Sequence, residues 1–381
     1  MKRYSALIRL SFAVIMCLSF CSCAPRLALE KTSFDELNGW YGDHTQALVA
    51  FDKSCKKIQS LPENHDMGIA GTPKDWVRTC YESEVYLNEK SLGDKRARIF
   101  FEDNFVPFKA YKKPFYTNLF NKSDGLFTGY YEPALNGSRT KSDKYKYPLY
   151  KKPQDLKDGE PYLGRRRIDN GELDGKGLEL VYVDDPVKLF FLQIQGSGRV
   201  FLEDGSVMRV GYDGKNNCPY KSIGKYLIDE GIMTKEQVTA DSIKEWLWNN
   251  PDKAQQVMQV NQSYVFFREI KGDGPIGSQG VALTPEASLA VDKKFIKLGL
   301  PVWLETTMPD FGEGEEKYNR LLIAQDTGGV IKGPVRGDVF FGYGEAAEKK
   351  ASYMKQKGEY SVLIPRELAK KIEEENAWWK W

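Results

Sequence analysis

The chain has 381 residues, with 55 Lys and Arg against 53 Asp and Glu, a formal charge of +2, and only two histidines, His44 and His65. So balanced a charge leaves no electrostatic footprint for nucleic acid. Two histidines near the N-terminus exclude H-E-x-x-H zinc motifs and make Ser-His-Asp or Cys-His schemes a poor fit, so acid–base chemistry falls to carboxylates. There is no G-x-x-x-x-G-K-[ST] phosphate loop, and no metal or cofactor is expected.

In chain order, Lys2, Arg3 and Arg9 lead into an apolar run from Leu10 to Phe20, then Cys21-Ser22-Cys23-Ala24-Pro25. This reads as an export signal over residues 1–22, too short to be a spanning helix. The end of the run resembles a bacterial lipoprotein box with Cys23 as the lipidated first mature residue, although Phe20 stands where Leu is usual. A plain cleaved signal is the alternative. Ala24 after the cysteine resembles lipoproteins sorted to the outer membrane, so the expected location is its periplasmic face. Loss of residues 1–22 removes three positive charges and takes the formal balance from +2 to −1. The remaining length suits about two domains. Cys55, Cys80 and Cys218 follow; in an oxidising compartment Cys55 and Cys80 could pair, and one cysteine is left over.

Residues 24–75 form a mixed leader in which Asp43-His44-Thr45-Gln46-Ala47-Leu48 opens a helix. Residues 76–112 carry the spacing of one or two amphipathic helices broken at Gly93-Asp94, with Asp94 a candidate N-cap. From Leu126 the pattern changes to short aromatic-rich runs broken by Gly, Pro and Asn. Strands are predicted over 127–133, 178–183, 190–195 and 207–212, then helices over 220–231 and 234–258, the second renewed near Thr239. Strands return over 264–268, 302–305, 320–325 and 339–341, with a short helix start at Thr284-Pro285. Strands this short predict a mainly β chain with a closed barrel rather than a βαβ sheet. The 21 Tyr, 20 Phe and 8 Trp would supply cores and, where exposed, flat faces for a sugar.

The densest chemistry lies in Gln325-Asp326-Thr327-Gly328-Gly329 and Gly337-Asp338-Val339-Phe340. Two aspartates 12 residues apart bracket four glycines and a proline. Paired carboxylates in unlike surroundings are a recurring acid–base device. The same residues also read as an ordinary turn.

Three further segments, Phe127-Thr128-Gly129-Tyr130-Tyr131-Glu132-Pro133, Gln195-Gly196-Ser197-Gly198-Arg199 and Gly211-Tyr212-Asp213-Gly214-Lys215-Asn216, together resemble the membrane-bound lytic murein transglycosylase A family. Ala290-Val291-Asp292 and the two aspartate segments, in that order, resemble its three-aspartate (3D) domain. The resemblance runs from about residue 80 to 365. It implies a double-psi β-barrel domain from residues 23–131 and 263–381, with the 3D motif in 281–345 and flanking helices. A second β-rich domain, residues 132–262, would interrupt it and form the other wall of a groove. The implied reaction cleaves the β-1,4 bond between N-acetylmuramic acid and N-acetylglucosamine, leaving a 1,6-anhydromuramyl end. One carboxyl suffices when the sugar's own 6-hydroxyl attacks, whereas the usual hydrolase needs two.

On that resemblance Asp338, beside Val339-Phe340-Phe341, is the expected catalytic acid/base, with Asp326 supporting it. Asp292 matches the first family aspartate and reads as structural. Glu132 is the rival acid, though a strand-end charge is the preferred reading. Thr128, Gly129, Tyr130 and Tyr131, with Gln195, Gly196, Ser197 and Gly198, are expected to line the groove or to make tight turns. Lys332 and Arg336 read as carboxylate binders or solvated charge. Expected partners are peptidoglycan strands, the membrane through Cys23 and other cell-wall enzymes. Two alternatives stand beside this reading, a non-catalytic peptidoglycan-binding envelope lipoprotein and a muramidase that uses water.

Overall fold

The computed structural model describes residues 26–88, 93–113, 122–272, 274–310 and 314–374; the export signal and Cys23 lie outside the described residues. Its strands in chain order are β1 (Arg26–Lys31), β2 (Phe105–Lys113), β3 (Gly125–Glu132), β4 (Ala134–Ser138), β5 (Tyr147–Tyr150), β6 (Glu179–Val183) and β7 (Ser197–Leu202). There follow β8 (Val207–Lys215), β9 (Val265–Glu269), β10 (Ser288–Val291), β11 (Pro301–Pro309), β12 (Glu315–Asp326), β13 (Arg336–Tyr343) and β14 (Lys355–Pro365). The chain is mainly β, as its short apolar runs predict.

Six strands close on themselves in the order β14-β11-β12-β10-β13-β3, with β3 pairing back onto β14. Closure removes the exposed edges that such short strands would otherwise present. The barrel mixes directions: β10 runs parallel to β12, and β13 parallel to β3. β2 extends the sheet from β14 and carries β1 antiparallel on its outer edge. The second sheet has the order β5-β6-β4-β7-β8-β9 and is built from the chain between β3 and β10.

An aromatic layer fastens the N-terminal helices to the barrel. Phe51, in the helix Thr45–Gln59, has its ring 5.7 Å from Phe100 and 5.4 Å from Phe105. All three are fully buried, and aromatic pairs at such spacings add about 0.5–1.5 kcal/mol beyond their buried area. A Cys55–Cys80 disulfide joins the same helix to Val77–Asn88. The second sheet packs Leu135, Leu149, Val181, Val200 and Val210 into a separate core.

The structure corrects several local expectations. The run Phe190–Gln195, expected as a strand, is the second half of the helix Pro186–Gln195. Asp185 caps it by accepting from the Val187 and Lys188 amides, and Pro186 takes the first turn, so start signals outweigh an apolar run of either periodicity. Residues 105–112, expected to be helical, belong to β2, where the chain is drawn into pairing with β14 and β1. The expected helix over 234–258 is two, Ala240–Asn249 and Pro251–Met258, because Pro251 cannot continue the first. Thr284-Pro285 starts a turn rather than a helix: Glu286 adopts φ 53°, which a right-handed helix cannot contain. Asp94 lies in the first turn of its helix, after Gly93 at the cap.

Two polar clusters join the sheets. Glu132, at the end of β3 and 0% exposed, accepts from Arg199 Nε at 2.7 Å and Arg209 Nη2 at 3.3 Å, drawing β7 and β8 onto the barrel. Lys244 of the second body, itself buried, pairs with Glu348 of the helix Glu345–Tyr353 beside β3, and the Tyr131 hydroxyl donates to the same Glu348 at 2.8 Å. Removing one partner of a buried ion cluster leaves uncompensated charge. Glu132→Ala is therefore expected to lower unfolding free energy by about 3–5 kcal/mol, read from urea denaturation against wild type.

Candidate active site

Register along β10 assembles the site. Ala290 lies opposite Asp326 of β12 on one side and opposite Asp338 of β13 on the other. The two aspartates, 12 residues apart in sequence, thus flank one residue, their backbones roughly 10 Å apart at two strand spacings. Across the next pairing Asp338 faces Thr128 of β3. The Thr128 hydroxyl donates to Asp338 Oδ1 at 2.5 Å, and Arg336 Nη2 donates to Thr128 Oγ1 at 2.8 Å. Two residues further along β3, the Tyr130 hydroxyl donates to Asp326 Oδ2 at 3.0 Å.

The two carboxyls are unlike. Asp326 Oδ1 accepts from the Ser278 amide at 2.9 Å, the Ser278 hydroxyl at 2.8 Å and the Thr327 amide at 2.9 Å, and Oδ2 takes Tyr130. Asp338 has one side-chain donor, Thr128. Burial pushes its pKa up and the negative charge of Asp326 adds to this, while the Thr128 hydrogen bond and the Arg336 charge pull the other way; the net direction is upward. Burial, with the charges of Asp326 and Asp338, also raises Tyr130 well above an ordinary phenol, so it stays a neutral donor. What results is one carboxyl inclined to keep its proton beside another saturated with donors.

The end of β12 is held from beneath. Gln325, 0% exposed, donates to the Ala50 carbonyl at 2.7 Å and the Ser54 hydroxyl at 2.8 Å of the helix Thr45–Gln59, and accepts from Ser288 at 2.6 Å. A buried amide with its hydrogen bonds made fixes the backbone from which Asp326 projects. Asp292, at the end of β10, is a buried buttress: its carboxylate accepts from the Lys294 amide at 3.1 Å and the Gly333 amide at 2.9 Å.

Other expected residues fall into place differently. Tyr130 and Tyr131 alternate across β3, so only one can face Asp326. Tyr131, expected to line the groove, is 7% exposed and holds Glu348 instead. The missing side chain at Gly129 serves packing: a Cβ there would lie 2.5 Å from the Phe341 ring and 2.8 Å from Ala351 Cα. Gly196, at φ 82°, ends the helix Pro186–Gln195 in the left-handed region. Gly198 packs under Leu192 and the Pro133 carbonyl. Gln195 and Ser197 stand at this helix end near Pro133, and among the described residues no hydrogen bond joins either side chain to the aspartates. Glu132, the rival acid, is occupied by two guanidinium groups. Lys332 is exposed, whereas Arg336 turns inward onto Thr128.

His44 packs its ring 4.3 Å from Trp40 and 5.6 Å from Trp303, and burial pulls its pKa down to about 4. It is a neutral core residue. Among the described residues no group of His, Cys, Asp and Glu is arranged to hold a metal.

Residues 126–268 match the model of the MltA specific insert domain, and residues 287–364 that of the 3D domain. A curated relative, the membrane-bound lytic murein transglycosylase A homolog of Buchnera aphidicola subsp. Schizaphis graminum, is 39% identical over 62% of this chain. That match spans 65% of the relative's own length. The structure of the lytic transglycosylase LtgG of Burkholderia pseudomallei is 41% identical, covering 90% of this chain and 98% of that one, with a TM-score of 0.64. The chain belongs to the membrane-bound lytic murein transglycosylase A family. A further structure, Escherichia coli MltA with bound chitohexaose, is 25% identical over 89% of this chain and 94% of that one, with a TM-score of 0.67.

In this transglycosylase A chain Ser278 and Gln325 also serve the site, one bonding Asp326 and the other fixing the end of β12. Gln325 stood in the quoted motif, but burial is what gives it work; Ser278 lies in a loop whose approach to β12 no local pattern announces. The electrostatics of the pair can be read without turnover. By carboxyl-carbon NMR, Arg336→Gln should move the Asp338 titration to higher pH, because a charge favouring the carboxylate is lost. Asp326→Asn should move it to lower pH, because a repelling charge is lost. Equal midpoints in all three proteins would contradict this account.

Proposed function

We propose that the protein is a lytic transglycosylase acting on peptidoglycan, cleaving the β-1,4 bond from N-acetylmuramic acid to N-acetylglucosamine with Asp338 as its acid and base. The observation that carries this reading is the asymmetry of the aspartates: one carboxyl with a raised pKa and a single side-chain donor, the other saturated. Protonated Asp338 gives its proton to the glycosidic oxygen as the bond to C1 of the muramyl residue breaks. The departing N-acetylglucosamine carries that proton as its new hydroxyl. The muramyl 6-hydroxyl then attacks C1, and its proton passes to the Asp338 carboxylate, which restores the acid and closes the 1,6-anhydro ring.

Asp326 is a positioning residue in this scheme. Its negative charge helps Asp338 keep a proton, and its four donors leave it poorly suited to activate water. Thr128 and Arg336 orient the acid and stabilise its carboxylate between the two proton transfers. The glycan would lie in a groove between the barrel, residues 23–131 and 263–381, and the inserted sheet, residues 132–262, with Tyr130, Gln195 and Ser197 along it. Binding of chitohexaose by the Escherichia coli relative supports a glycan of linked N-acetylated sugars as the ligand.

Asp338→Asn should reduce murein solubilisation by about 10²–10⁴-fold, the range for losing a general acid. Wild-type digests should contain muropeptides lighter by one water than hydrolytic products, read by mass spectrometry. Products with reducing ends would favour a water-using muramidase instead. Activity should also fall on the alkaline side as Asp338 loses its proton.

We further propose that Cys23 is lipidated and holds the enzyme at the periplasmic face of the outer membrane. No helix among the described residues is long and apolar enough to cross a membrane. Cys23→Ser should shift the protein from the membrane pellet to the soluble fraction on cell fractionation; an unchanged distribution would remove the anchor from the account.

A further inference from the structure

A cavity of about 960 Å³ opens in the inserted body, between β5 and the helices Pro186–Gln195, Ala240–Asn249 and Pro251–Met258. None of Thr128, Tyr130, Asp326 or Asp338 lines it. Its size lies in the range of small-molecule sites. We propose that this cavity is a second carbohydrate-binding site, taking an N-acetylated amino sugar away from the catalytic groove.

The first support is an orphan donor. Gln193, 4% exposed, lines the cavity, and its Oε1 accepts from the buried Arg165 guanidinium. That contact fixes the orientation of the amide: oxygen toward Arg165, nitrogen away from it. Arg165 is itself pinned by the Asn261 carbonyl at 2.9 Å and the Ser263 carbonyl at 2.8 Å. Gln193 lies close enough to the Tyr264 phenol to pull its pKa down against the effect of burial, yet its Nε2 makes no hydrogen bond of good geometry. A buried amide left this way is poorly satisfied, and an acetamido or hydroxyl oxygen would be a better acceptor.

The second support is a platform. Trp248, also lining the cavity, is 46% exposed, yet its indole N–H donates to Asp185 Oδ2 at 3.0 Å. Asp185 is rigid because its other oxygen caps the helix Pro186–Gln195. An indole fixed by its edge offers its face, the surface on which the C–H side of a pyranose packs.

Charge selects a neutral ligand. Four aspartates in the lining stand against Lys141, Lys146 and Arg165. Each accepts a hydrogen bond: Asp174 from the Tyr150 hydroxyl at 2.7 Å, Asp185 from Trp248, and Asp184 from Asn136 at 3.4 Å. The fourth, Asp169, has the Gln259 amide at 3.4 Å, and burial pushes its pKa up. Neither a strong cation site nor a strong anion site remains. Hydroxyls, an acetamido group and an apolar ring face meet every demand of the lining.

The choice of sugar rests on the proposed wall substrate, but the test reads the cavity directly. Full-length Asp338→Asn protein, labelled with 5-fluorotryptophan, is titrated with N,N′-diacetylchitobiose, and the Trp248 resonance is assigned by Trp248→Phe. A saturable shift of that resonance at millimolar sugar is expected. Gln193→Glu keeps an acceptor for Arg165 but loses the donor, and should weaken the shift by about tenfold. Trp248→Ala, at the exposed rim, should remove one site from the calorimetric stoichiometry. A stationary Trp248 signal, a shift untouched by Gln193→Glu, or a calorimetric stoichiometry unchanged by Trp248→Ala overturns the proposal. Loss of the transglycosylase reading would show separately, as turnover persisting in Asp338→Asn.

Discussion

Strand β3 pairs with β13 on one side and with β14 on the other, and that closure decides where every polar group of the site stands. It sets Thr128 against Asp338 and brings Tyr130 to Asp326, while the next residue, Tyr131, turns to the opposite side. Its last residue, Glu132, then gathers two arginines from the neighbouring sheet. Eight consecutive residues therefore close the barrel, hydrogen-bond both aspartates and couple the two bodies. A slip of one position along β3 would exchange its two faces and undo all three.

Holding a proton on Asp338 works against stability. Its pKa is raised in the fold, so ionisation at neutral pH is less favourable folded than unfolded. The penalty is complete above the folded pKa and vanishes below the unfolded one, the reverse of the usual ion-paired aspartate. The saturated Asp326 and the buried Gln325 beneath it supply the rigidity that keeps such a group in place. Local strain at a site offset by order around it is a recurring arrangement in enzymes.

Much of this was legible in the residues. Short aromatic strands broken by Gly and Pro announced a barrel, and the two aspartates bracketing a glycine-rich turn do meet across one residue of β10. What escaped was set by contacts distant in sequence. Phe190–Gln195 is too short, with four of its six residues buried, to show an amphipathic period, so only Asp185-Pro186 betrays the helix. Residues 105–112 belong to β2 because β14, some 250 residues later, offers an edge. The partner of Asp326 in the loop at Ser278, and the burial of Gln325 under the helix Thr45–Gln59, exist only once the barrel has closed. Tyr131 bonds Glu348 and not Asp326 because two adjacent tyrosines on a strand cannot share a face.

Strand β1 begins at Arg26 and is zipped along its whole length to β2. An acyl-bearing Cys23 would be separated from that strand by three residue steps, a leash of at most about 10 Å. Such a tether allows little wandering: the barrel would ride against the bilayer with few orientations open to it. On the proposed anchor, the depth at which glycan can be cut would follow from how near that strand is held to the bilayer.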